Sequence, residues 1–310
     1  MRSGYCLGVV TGLLLTAGGA QAANAGAACS PLPPQKIGFQ LYNMLSVMIP
    51  PDKMAAAVAG GPVTVTPQTL ESVLTRMHAI GFQKMEGLGD RLPVPERAYK
   101  KILQKAGIDQ ISSHRPLDTR RWNATLDEAK ALGQSHAGAP GFGEPGIGSL
   151  KDTLATAANL NKFGAAAAAK GLRFYVHNHE DEIRTKYSYD IDHNGHPRLV
   201  SAWEIVAANT DPRYVHFEVD IHWTRVAFGL NHFPDVLAFL RKYRSRIEIL
   251  HVKDTAADGS ITDLGKGTTD WSAVFEAAGP KIAYYVWEYD GDPAPFESAK
   301  IAWQTLRCTK

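Results

Sequence analysis

The stretch Val176–Glu182, VHNHEDE, places two histidines, an asparagine and three acids directly after the apolar run GLRFY. A surface turn can carry such residues by accident, whereas a metal site requires them. Similar residues close each later apolar run. HFEVD ends at Asp220, IEILHVKD brings His251, Lys253 and Asp254, and YYVWEYD brings Glu288 and Asp290. Glu182, Asp220, His251 and Glu288 follow one another at intervals of about one βα unit. In a closed α/β barrel, residues so spaced at strand C-terminal ends meet at one mouth, where barrel active sites lie. One imidazole and three carboxylates suit a hard-to-borderline divalent ion. Mn²⁺ or Mg²⁺ fits the oxygen-rich set, and the imidazole also admits Zn²⁺, Co²⁺ or Fe²⁺. A lone acid at a strand end reads as solvated or ion-paired; four in successive units are harder to read that way.

Elements that could position these residues alternate along the whole chain. Strands are expected at Lys36–Tyr42, Phe82–Glu86, Ile108–Ser113, Arg173–His177, Val215–Asp220, Ile247–Val252 and Ala283–Trp287, with a weak fourth near Leu132–His136. Helical spacing marks Pro67–Ile80, Glu96–Ala106, Arg121–Ala131, Leu150–Lys170, Val200–Ala208, Phe233–Tyr243, Trp271–Ala278 and Ser298–Leu306, several of them followed by glycine. Such alternation predicts a parallel sheet, and eight units predict a (β/α)8 TIM barrel as a single domain. The 310 residues suffice for one barrel of roughly 250.

Weaker signals surround the main constellation. Glu86 and His114 end the second and third strands and could bond substrate hydroxyls; paired strand-end residues are the competing reading. His177 ends the fifth strand in the same way. Lys253 points toward the same mouth, to hold a carbonyl or carboxylate or to pair with Asp254. Trp223 and Trp287 could stack on a sugar face or pack in the core. Asp263–Asp270, DLGKGTTD, is a Gly-rich turn and a weak phosphate signal by itself.

Bulk properties bound the function. With 33 Lys and Arg against 31 Asp and Glu, the net charge is +2. A nucleic-acid binder would carry a basic footprint that this balance lacks. Residues 1–22 combine Arg2, an apolar run to about Ala17 and Ala20-Gln21-Ala22, the pattern of a cleaved secretory signal. That run is short for a membrane span of about 20 residues. The expectation is a periplasmic or secreted protein, with an extended lead-in at 23–35 and the barrel at 36–308. Cleavage removes Cys6 and leaves Cys29 and Cys308, an even pair that invites a disulfide in an oxidising compartment. Lipidation at Cys29 is the weaker reading, because the residues before it lack a large aliphatic side chain.

On GFQLY (38–42), AIGFQKME (79–86), SSH (112–114), VHNHEDE, FEVDIHW (217–223), HVKD…DLGKGTTDW (251–271) and VWEYD (286–290), the chain resembles the sugar phosphate isomerase/epimerase family of xylose-isomerase-like TIM barrels. The resemblance covers about residues 36–306. It departs at Val176, where the family often has Tyr. It implies a metal held by Glu182, Asp220, His251 and Glu288, with Glu180 and His179 as alternatives to Glu182. It also implies proton abstraction next to a carbonyl through a metal-stabilised enediolate, with Glu182 and Glu288 as the proton-transferring groups and Lys253 or His179 assisting. Mn²⁺ is the first expectation for the ion. Returning the proton elsewhere gives isomerisation or epimerisation. Losing a β-substituent makes a lyase or hydratase, for which a 3-keto-glycoside is a plausible substrate. A metal-dependent endonuclease shares the fold but would need more histidine ligands and a basic face. A periplasmic sugar-binding protein without catalysis is the other rival. The expected partner is a small, non-phosphorylated carbohydrate, with no nucleic acid and no stable membrane insertion; a homo-oligomer is left open.

Overall fold

The structure is a computed structural model that describes residues 30–58, 61–89 and 92–309. The expected signal segment and Cys29 lie outside the described residues. Eight strands form one parallel sheet: Ile37–Gln40, Lys84–Gly87, Asp109–Ser113, His136–Ala139, Arg173–His177, Val215–Asp220, Ile247–Val252 and Tyr284–Trp287. They are called the first to eighth strands below. The first pairs with both the second and the eighth, and pairing then runs from the eighth through the seventh, sixth and fifth to the fourth. A parallel bridge between His114 and Gly138 joins the third to the fourth, supported by Arg115 N–H to Gly138 O at 3.0 Å and Ser135 N–H to Ile111 O at 3.1 Å. The sheet is therefore closed, and the fold is the TIM barrel expected from the alternation.

Local chemistry explains most boundaries. Helix Pro67–Ile80 starts where the Thr66 hydroxyl accepts Thr69 N–H at 3.1 Å, with proline in the first turn. Helix Glu96–Ala106 stops at Gly107, whose φ of 70° is open to glycine at little cost. The fourth strand lies later than the Leu132–His136 expectation. Its residues, HAGA, carry almost no β signal, and they are small for a packing reason. A Cβ at Gly138 would run into the Tyr175 ring, which fills the barrel centre. The expected helix Val200–Ala208 begins only at Ala202, because Arg198–Ser201 pairs antiparallel with Lys186–Tyr189 and Ser201 then caps the helix. Helix Ile221–Phe228 has no counterpart among the sequence expectations.

The lumen is layered. Near the strand N-terminal ends, Glu248 is bonded by Arg173 at 2.6 Å and approached by His136 at 3.4 Å and His216 at 3.9 Å. Above it lies an apolar layer of Ile111, Tyr175, Ile249 and Val286. Polar chemistry resumes at the strand C-terminal ends. An ionic plug, an apolar seal and a polar mouth are thus stacked along one axis. The first and last described segments meet on the outside, where Leu32 N–H donates to Leu306 O at 2.9 Å. Among the described residues no helix is long and apolar enough to cross a membrane.

Candidate metal centre

Sheet register builds the site. Asp220 on the sixth strand pairs with His251 on the seventh, and His177 on the fifth pairs with Glu218 on the sixth. His177, Asp220, His251 and Glu288, all buried, each offer a ligand atom within 4.8 Å of the others. Three of the four expected ligands, Asp220, His251 and Glu288, are therefore brought together. The fourth donor in this set is His177, which was expected to contact substrate. Glu182 is not in the set. The chain turns into a short helix at Asp181–Arg184, and the Glu182 carboxylate accepts the His179 N–H at 2.9 Å. Glu180 faces Arg184 at 3.7 Å.

Beneath this set lies a carboxylate that the sequence reading did not single out. Glu218 is fully buried, and three imidazoles face it: His114 at 2.8 Å, His177 at 3.0 Å and His251 at 3.1 Å. Glu86 is also fully buried, where substrate contact had been expected. It accepts from Gln40 at 2.9 Å, Ser112 at 2.8 Å and Tyr175, and lies 2.8 Å from His251 Nε2. With His114 also at 3.4 Å, five protein partners and no exposure make it a support beneath the mouth. His251 is thus held from both sides, with Nδ1 at 2.7 Å from Glu288 and Nε2 toward Glu86 and Glu218. A carboxylate on one ring nitrogen orients the other as a ligand.

Lys253 is almost wholly buried and lies 3.1 Å from Asp220, 2.8 Å from Glu288 and 2.8 Å from Asp290. Its ammonium also sits 5.4 Å from the Trp223 ring centre, and that ring lies 5.9 Å from His179. Trp223 is half-buried and forms part of the shell around Lys253. Trp287 is core, packed 6.0 Å from Phe82. The cavity above the cluster has a volume of about 450 Å³, and His114, His177, His179, Lys253, Glu288 and Asp290 supply its charged and polar wall.

Electrostatics assign protonation states. Burial opposes charge on His251, but Glu218 and Glu288 outweigh it and push its pKa well above the usual value. Burial likewise opposes the Lys253 charge, yet Asp220, Glu288 and Asp290 hold the ammonium protonated. Glu288 and Glu218 resist burial through these same cations and stay ionised. Burial dominates at His177 and leaves it neutral, the form that ligates metals. Burial also raises Asp220 to about 6. Half-buried Glu182 is raised, first by burial, while neighbouring His179 on the rim is lowered by lost solvation.

The donor set fits a divalent ion. Two imidazoles and two carboxylates converge, and Asp220 Oδ2 is buried without a well-oriented hydrogen bond, although the Lys253 ammonium faces it. With two nitrogens the set shifts from Mg²⁺ toward Mn²⁺, Fe²⁺, Co²⁺ or Zn²⁺. The Gly-rich turn does not act as an open phosphate cradle. Asp254 Oδ2 accepts from Gly265 N–H at 2.8 Å, Gly267 N–H at 3.2 Å and Trp271 Nε1–H at 3.2 Å.

No family model matches the chain, and no curated protein matches it. Solved structures do. A sugar phosphate isomerase/epimerase from Parabacteroides distasonis ATCC 8503 aligns over 93% of this chain and 97% of its own, with TM-score 0.66 and 22% identity. An L-ribulose 3-epimerase covers 88% and 95%, with TM-score 0.59 and 15% identity. A family 2 AP endonuclease from Brucella melitensis covers 87% and 98%, with TM-score 0.57 and 14% identity. At these identities the likeness establishes the TIM-barrel fold. The different activities in those names leave the reaction to be argued from the site.

Proposed function

We propose that the protein is an exported, divalent-metal-dependent enzyme that isomerises or epimerises a small carbohydrate by moving a proton next to a carbonyl. The carrying observation is the buried set of His177, Asp220, His251 and Glu288 at the strand C-terminal mouth. These four residues would hold the ion. When bound, it supplies Lewis acidity toward a carbonyl oxygen and stabilises the enediolate. Lys253, kept charged by its carboxylates, donates hydrogen bonds to an oxygen that gains negative charge. Glu182, its pKa raised first by burial, is the candidate general base. Glu288, held ionised, is better matched to ligation than to proton transfer. Mn²⁺ is the preferred ion on donor type. Export rests on the pattern of residues 1–22 alone.

The test is metal analysis followed by deuterium incorporation from D2O into a panel of keto sugars. Metal-dependent C–H exchange that disappears in His251→Ala is expected. Absence of exchange across the panel rejects the isomerase reading. Release of a leaving group from a 3-keto-glycoside would identify the lyase reading instead, because the same carbanion chemistry precedes elimination. Sugar binding without either reaction would identify a binding protein.

A further inference from the structure

The cavity has two unlike walls. One is the charged and histidine-rich face over the metal set. The other is apolar and comes from the segments that follow the first four strands, with Tyr42, Val58, Leu88, Pro116 and Pro140. Pro116, Pro140 and Val58 are exposed, so this wall faces solvent instead of closing a core. A free sugar placed across the whole cavity would press hydroxyls against carbon and leave them without partners, which costs free energy. At about 450 Å³ the cavity falls within the usual range for drug-sized ligands.

Charge narrows the ligand further. Among the described lining residues Lys253 is the one lysine or arginine, and Asp220, Glu288 and Asp290 already surround it. The Gly-rich turn that might have held a phosphate already binds the Asp254 carboxylate. A phosphate lying away from the ion would therefore meet carboxylates, with no unengaged lysine or arginine among the described lining residues.

We infer that the mouth carries an apolar subsite beside the metal set, and that its ligand is a non-phosphorylated glycoside whose sugar carries a keto group, with an aromatic or alkyl group at the other end. This rests on the carbohydrate reading above for the sugar end; the apolar end rests on the wall itself. The sugar oxygens face the His/Asp/Glu cluster, and the aglycone lies on Leu88, Val58 and the two proline rings.

The experiment compares phenyl β-D-glucoside, methyl β-D-glucoside and glucose 6-phosphate binding to the full mature chain with Mn²⁺, by calorimetry. The phenyl glycoside should bind at least roughly tenfold more tightly than the methyl glycoside. Val58→Ser and Leu88→Asn should bring that ratio toward one. Val58 is exposed at a helix end, so its variant stays decisive where Leu88→Asn weakens the fold. Equal affinities, no binding by either glycoside, or a ratio unchanged in Val58→Ser would overturn the subsite. Tighter binding of glucose 6-phosphate than of methyl glucoside would overturn the non-phosphorylated assignment. The deuterium exchange assay separates the two proposals. Exchange without a phenyl preference removes the subsite and leaves the isomerase, while a phenyl preference without exchange does the reverse.

Discussion

Glu218 lies 3.0 Å from His177 Nδ1, and this one contact decides which ring nitrogen is left for the mouth. Glu218 stands two residues before Asp220 on one strand, so both carboxylates face the lumen, one beneath the site and one in it. Glu218→Gln removes the charge that orients His177, His114 and His251 together. Metal affinity should fall roughly 10–100-fold while the circular dichroism spectrum is retained. Competition with a fluorescent chelator measures this. Unchanged affinity would mean that Glu218 is only a structural partner.

Glu182 and His177 compete for the fourth place around the ion, and mutation separates them. His177→Ala and Asp220→Ala should each lose stoichiometric metal. Glu182→Gln should keep the metal and lose roughly 10²–10⁴ in turnover, the usual contribution of a general base. Metal content by mass spectrometry, read beside the exchange rate, decides the matter. A Glu182→Gln protein without metal would restore Glu182 as a ligand.

Ion binding should release protons. His251 has its pKa raised well above the ordinary value, by Glu218 and Glu288 against burial, so it is protonated near neutral pH before an ion arrives. A ligating nitrogen must be unprotonated. Below the raised pKa, affinity should therefore climb with pH, by roughly tenfold per unit for one displaced proton. Calorimetry in buffers of different ionisation enthalpy counts the protons. A pH-independent affinity would show that His251 does not bind the ion.

The plug at the other end of the barrel makes a separate pH prediction. His216 is lowered to about 4, by burial first and then by Arg173. Its depressed pKa means that the unfolded chain takes up the proton first as pH falls. Stability from this group is complete above about 6.5 and is lost as pH falls toward 4. Glu248, lowered to about 2 against burial by His136 and Arg173, adds a second loss below about 4.5. The His216 part should reach at most about 2 kcal/mol after allowing for solvent screening. Urea titrations in chelator at pH 7, 5 and 4 test it, and His216→Gln should flatten the slope between 6.5 and 4.

Legibility in the sequence followed the strength of local signals. Arg173–His177, Val215–Asp220 and Ile247–Val252 are β-branched or aromatic runs, and the structure has strands at those bounds. His136–Ala139 was obscure because Gly138 is chosen by the Tyr175 ring, a contact between strands. Helix Ile221–Phe228 was hidden because Asp220 is both a site residue and an N-cap, accepting Trp223 N–H at 2.8 Å. Spacing alone brought out Asp220, His251 and Glu288. It put Glu182 in the fourth place, with Glu180 and His179 as alternatives, and left His177 to substrate, because the fourth place depends on the turn after the fifth strand. Glu218 was readable in principle, since His216, Glu218 and Asp220 alternate with Phe217 and Val219.

Cys29 and Cys308 lie near opposite ends of the sequence. The hydrogen bond from Leu32 N–H to Leu306 O fixes the chain three residues after one cysteine and two before the other. Cys308 itself sits at the last helix's C-cap with φ 53°, in the left-handed region where glycine or asparagine is usual. If the chain is exported, the two thiols should be oxidised to a bridge that closes nearly the whole mature chain. The chain-entropy model gives up to about 5 kcal/mol for such a loop. Peptide mapping of mature protein without reductant should recover the 29–308 pair, and Cys29→Ser should lower the melting temperature to that of the reduced protein. Two free thiols in protein taken from the periplasm would refute the bridge, and failure of residues 1–22 to direct a reporter across the membrane would refute the export on which it depends.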